Sequence, residues 1–74
     1  MPHLIEKHED ADSAKRAAKS QPPFGPGFPD EIIEKIARFE VWGSDFKDPG
    51  DDWCEFRAFD ADGNKVGERR VAGY

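Results

Sequence analysis

The sequence predicts a small α+β domain, and three of its features carry that expectation. Residues 53–71 have the signature of a β-hairpin turned at Asp60-Ala61-Asp62-Gly63-Asn64. Arg38 to Trp42 alternate at period two, as a half-buried strand does. Two stretches ahead of them place small or branched apolar residues at helical spacing. The resulting architecture is a three-stranded antiparallel meander over about 38–43, 53–60 and 64–72. It packs with an N-terminal helix over about 11–20 and a short helix over about 30–37.

The hairpin is the best-defined element. Ala61 and Asp62 suit a type I turn and Gly63 the left-handed position that ends a three-residue loop, so the loop closes on Asp60 and Asn64. Counting outward sets Ala58 against Val66, Phe56 against Glu68, Glu55 against Arg69 and Trp53 against Val71. One face then gathers Cys54, Phe56, Ala58 and Val66 and looks like core. The other gathers Trp53, Glu55, Arg57, Phe59, Arg69 and Val71. Charge selects how the strand at 38–43 joins it. With Val41 against Phe56, Glu40 falls opposite Arg57. With Phe39 against Phe56, Glu40 would meet Glu55 and Arg38 would meet Arg57. The first register is expected.

Ala11, Ala14, Ala17 and Ala18 supply helix propensity and a narrow apolar stripe, with Asp10 or Asp12 as the cap. Acids at the start of this helix and Lys15, Arg16 and Lys19 toward its end both suit the helix dipole. Leu4 and Ile5 either extend this helix or form a short strand over 3–7, and the strand is preferred. Residues 21–29, with four prolines and two glycines, form an extended connector inside a single domain spanning 1–74. Phe24 and Phe28 read either as an aromatic-proline recognition segment or as anchors pinning the connector to a thin core. Anchors are the preferred reading. Pro29, Asp30 and Glu31 then open the second helix, whose apolar face is Ile32, Ile33 and Ile36.

Composition narrows the function classes. A chain of 74 residues buries only about 60% of the surface its unfolded form exposes, which leaves little room for an enclosed catalytic cleft. Cys54 is the single cysteine, so no disulfide framework exists within the chain. With no basic-then-apolar leader and no apolar stretch of membrane-spanning length, a cytoplasmic location is expected, with no membrane partner. The net charge of -5 falls downstream of residue 20, since residues 1–20 hold four acids and four bases. Nucleic acid is therefore disfavoured as a partner.

Candidate chemistry is sparse. Asp45, Asp48, Asp51 and Asp52 form an acidic loop, but Asp60 and Asp62 lie at the far end of the intervening strand, about 23 Å away at 3.3 Å per residue. The glycine of the Asp60 turn also comes two positions too early for a calcium loop, so turn chemistry explains it better. His3, His8, Glu9, Asp10 and Asp12 match no metal spacing, and Pro2 rules out an amino-terminal copper site that needs a backbone N–H at that position. Ser13, Ser20, Ser44 and Cys54 are the available nucleophiles. Cys54 faces the core in the register above and reads as a packed thiol. No catalytic residue, metal site or cofactor is expected.

The suggestive feature is the outward face of the meander, where Trp42, Trp53, Phe59 and Val71 stand among arginines and glutamates. Interfaces favour aromatic rings and arginine. Against this, the N-terminal segment could cover the face, or ion pairs could shield the rings. The leading expectation is a small cytosolic protein-interaction module that binds a protein partner through Trp42, Trp53, Arg57, Phe59 and Arg69 or through a strand edge, with self-association as one form of it. The alternative is an acidic inhibitor or nucleic-acid mimic that binds a basic protein through the 45–52 loop. An enzyme or enzyme subunit ranks third.

Overall fold

The computed structural model describes residues 3–22, 24–43 and 53–72. In chain order the elements are β1 (His3–His8), α1 (Ala11–Lys19), α2 (Asp30–Ile33), β2 (Arg38–Gly43), β3 (Trp53–Phe59) and β4 (Lys65–Ala72). The strands form one antiparallel sheet in the order β1-β2-β3-β4, so the N-terminal strand joins the meander as a fourth member beside β2. The acidic loop at 45–52 and Ser44 lie outside the described residues.

Helix α1 starts where Asp10, extended at φ -85° and ψ 130°, accepts the Ser13 N–H on its carboxylate at 3.0 Å and the Ala14 N–H on its carbonyl at 2.8 Å. It stops at Ser20, before prolines that cannot continue it. Ala14 and Ala18 are fully buried. Having no bulk beyond Cβ, they let the helix lie close on the sheet. Beneath it Phe39 and Phe56 stack with centroids 6.0 Å apart and planes 11° from parallel. Val41, Cys54 and Ala58 complete the inner face, with Ile33 and Ile36 packed against it. Full burial of each of these phenylalanines stabilises the fold by about 1.5–3 kcal/mol, a large share for a domain of this size.

Helix α2 is shorter than its sequence pattern suggests. The Lys35 and Ile36 N–H groups bond three residues back, to Ile32 and Ile33, and the Ala37 N–H bonds to the Phe59 carbonyl at 2.8 Å. The chain tightens because Ile36, only 2% exposed, must enter the core while the next amide joins the sheet. The connector also differs from an extended path. The Phe24 and Gly25 N–H groups bond to the Gln21 carbonyl, and those of Gly27 and Phe28 bond back to Ser20 and Ala18. Phe28 packs against the core, whereas Phe24 is 85% exposed, so only one of the two rings is an anchor.

The β2–β3 register is the one charge selects, with Val41 opposite Phe56 and Glu40 opposite Arg57. The hairpin turn also forms as expected: Gly63 has φ 87°, and the Asp60 carboxylate accepts the Asp62 and Asn64 N–H groups, each at 2.9 Å. The β3–β4 register departs from the simple count. A bulge between the Phe59–Lys65 and Ala58–Gly67 pairs absorbs Val66, so Phe56 faces Arg69, Glu55 faces Arg70 and Cys54 faces Val71. Arg69 and Val71 therefore belong to the inner side, and Arg70 and Glu68 to the outer. The extra residue brings both Val66 and Val71 against the core and leaves Gly67 under Phe28 and Ile32.

A Cβ at position 67 would stand 3.1 Å from two Phe28 ring carbons and 3.2 Å from an Ile32 methyl carbon. Gly67→Ala is expected to cost about 1–3 kcal/mol by forcing these groups off the sheet. Phe24→Ala should stay within about 0.5 kcal/mol. Urea denaturation of the two variants checks the contrast.

Candidate functional site

Alternation along each strand decides what the outer face displays. Arg38, Glu40 and Trp42 project from β2 because Phe39 and Val41 are committed to the core. Trp53, Glu55, Arg57 and Phe59 project from β3, and Lys65, Glu68 and Arg70 from β4. Strand β1 adds Leu4 opposite Trp42 and Lys7 opposite Glu40. Among the described residues both helices lie on the inner face. Trp42, Trp53 and Phe59 are half-buried, and an arginine lies over each.

Each ring has its own guanidinium. Arg38 lies 4.2 Å from the Phe59 centroid, Arg57 5.0 Å from Trp42 and Arg70 4.2 Å from Trp53. Such contacts contribute about 0.5–1 kcal/mol at exposed positions. The arginines are steered there by acids. Glu55, whose side chain is 5% exposed, accepts from Arg57 Nε at 2.7 Å, pairs with Arg57 Nη2, and stands 3.6 Å from Arg70 Nη2. A carboxylate this deeply desolvated is tolerable because two guanidinium groups converge on it. Glu40 plays a similar part in β2, accepting from Trp42 Nε1 at 2.9 Å and lying 3.6 Å from Arg38 Nε. At the edge, Lys65 Nζ pairs with Glu68 at 2.7 Å.

Four of the five residues singled out in the sequence, Trp42, Trp53, Arg57 and Phe59, thus share one face. Arg69 does not join them. It points inward, where its Nη1 donates to the Pro26 carbonyl at 3.2 Å and ties β4 to the connector. The arginine that completes the face is Arg70, hidden from sequence reasoning by the bulge. Among the described residues the face carries five cations, Lys7, Arg38, Arg57, Lys65 and Arg70, against the acids Glu40, Glu55 and Glu68 and the Glu9 that pairs with Lys7 at 3.0 Å. It is locally basic on a chain whose net charge is -5.

A second feature lies on the inner side, between β1 and α1. There a cleft of about 380 Å³ is lined by Glu6, His8, Ser13, Arg16, Ala17, Ser20, Phe24, Phe39 and Val41. His8 Nδ1 and Ser13 Oγ share a hydrogen bond of 2.8 Å, and His8 Nε2 stands 3.4 Å from Glu6 Oε2. Sequence reasoning considered His8 as a metal ligand of unsuitable spacing. The pairing of His8 with Phe39 places the imidazole beside the first turn of α1, and the run from His8 through the Asp10 cap to Ser13 is the local signal for it. Cys54 is fully buried nearby. Desolvation first, and the Glu6 carboxylate second, push its thiol pKa up, which keeps it protonated and unreactive. Among the described residues no group of three or more His, Cys, Asp or Glu side chains is placed to hold a metal ion.

The chain matches no protein-family model, no curated protein and no solved structure.

The Lys65 ammonium bonded to Glu68 at 2.7 Å holds that carboxyl below its ordinary range. A depressed folded-state pKa stabilises the fold above the unfolded value of about 4.3, and this contribution is lost as pH falls through the lower folded value. Carbon-13 NMR titration should therefore find Glu68 with a low midpoint that rises in Lys65→Met. An unchanged midpoint would remove Lys65 as the cause.

Proposed function

We propose that the protein is a small interaction module that binds a protein partner through the outer face of its sheet. The observation that supports this is the set of Trp42, Trp53 and Phe59 rings on one face, each overlain by an arginine that an acid holds in place. Tryptophan and arginine dominate the energetics of interfaces, and side chains already fixed by ion pairs lose less freedom when a partner docks. Leu4, 43% exposed and opposite Trp42, extends the apolar part of the face toward the β1 edge.

The locally basic balance of the face favours a partner surface with acidic and aromatic groups over a basic one. That speaks against an inhibitor of basic proteins acting through this surface, and the acids on which that reading rests lie at 45–52, outside the described residues. Among the described residues no helix is long and apolar enough to cross a membrane. We place the module in the cytosol, where a single buried thiol suits a reducing compartment.

Immobilised protein tests the reading by comparing what wild type, Trp42→Ala, Arg70→Glu and Lys19→Glu retain from cell extract, with circular dichroism confirming that each variant is folded. A partner held by wild type and Lys19→Glu should lose about tenfold or more in affinity with each face variant. Equal retention by all four proteins, or no retained partner, would contradict the proposal.

A further inference from the structure

Where β1 leads into α1, a serine, a histidine and a carboxylate stand in series. Ser13 Oγ and His8 Nδ1 are 2.8 Å apart, and His8 Nε2 is 3.4 Å from Glu6 Oε2. That order selects the tautomer. A carboxylate can only accept, so Nε2 of the neutral ring carries the proton and Nδ1 is left to accept from the serine hydroxyl. Helix capping does not account for the hydroxyl, because Asp10 already receives the Ser13 N–H at 3.0 Å. The imidazole also packs on Phe39, with ring centroids 6.1 Å apart, which limits its rotation. Ser13 and His8 are only half-buried, and both line the open cleft of about 380 Å³ together with Glu6 and with Arg16, one turn along α1 from Ser13.

We propose that this cleft hydrolyses small carboxylic esters, with Ser13 as nucleophile, His8 as general base and Glu6 positioning the imidazole. As Ser13 Oγ bonds to the acyl carbon, its proton passes to His8 Nδ1, and Arg16 supplies the cation for the oxyanion that forms. The bond from the acyl carbon to the leaving alcohol then breaks, and His8 returns its proton to the departing alkoxide. Water attacks the acyl-serine in the same manner. Its proton passes through His8 to Ser13 Oγ, and the carboxylic acid leaves. A short acyl chain packs on Ala17 and Phe24. The site lies on the inner side of the sheet and does not depend on partner binding at the outer face.

Full-length protein is tested with p-nitrophenyl acetate and, separately, with a fluorophosphonate whose adduct is located by mass spectrometry. Saturable release of nitrophenol and a single adduct on Ser13 are expected. Ser13→Ala removes one oxygen from a good helix position, so it stays folded, and it should abolish both signals. His8→Gln should slow both by about 100-fold. Glu6→Gln should lower kcat about tenfold at unchanged KM, as a positioning group does. Ser20→Ala, a second serine lining the cleft, and Trp42→Ala on the outer face should match wild type, with circular dichroism confirming the fold of each variant. Hydrolysis that survives in Ser13→Ala, an adduct absent from Ser13, or labelling as fast in His8→Gln as in wild type would overturn the proposal.

Discussion

A chain of this size has apolar material for one buried layer, and the structure follows from spending nearly all of it on one side of the sheet. Phe39, Val41, Cys54, Phe56 and Ala58 face α1 and the isoleucines of α2, and every one of them is buried. The opposite side has no layer to cover it among the described residues, so the rings there are shielded in another way. Glu55 and Glu40 orient three arginines, and the arginines lie across Trp42, Trp53 and Phe59. The stem of an arginine covers apolar surface while its head remains hydrated, which suits a sheet that must be stable with one face wet.

Glu55 stands at the centre of that arrangement. Placed on an inner strand between β2 and β4, it is almost wholly buried and would be a costly charge without Arg57 and Arg70. Its position couples the stability of the sheet to the orientation of the face. The same ion pairs that make the carboxylate tolerable also set which way the guanidinium groups point. A partner docking there would meet a surface with much of its ordering cost already met within the fold.

Local pattern carried most of the architecture. The Asp10 cap, the Gly63 turn and the Glu40–Arg57 pairing could each be read from a few residues, because each rests on a local backbone requirement or a single charge pair. What escaped depended on tertiary balance. The Val66 bulge is invisible to alternation, yet it decides that Arg70 replaces Arg69 on the outer face, since it pairs two valines with the core at the expense of one ladder step. Helix α2 ended early because Ile36 was worth more in the core than in another turn. The cleft was hidden for a related reason. Its walls come from a strand, a helix and the connector, and only the β1–β2 pairing brings His8 to Ser13.

The described helices lie on one side of the sheet and leave the indoles to the arginines. A proton NOE spectrum measures it directly. Contacts are expected from the Ala14 and Ala18 methyl groups to the Phe39 and Phe56 rings, and none from any α1 or α2 side chain to the indoles of Trp42 or Trp53. Helix-to-indole contacts would contradict it.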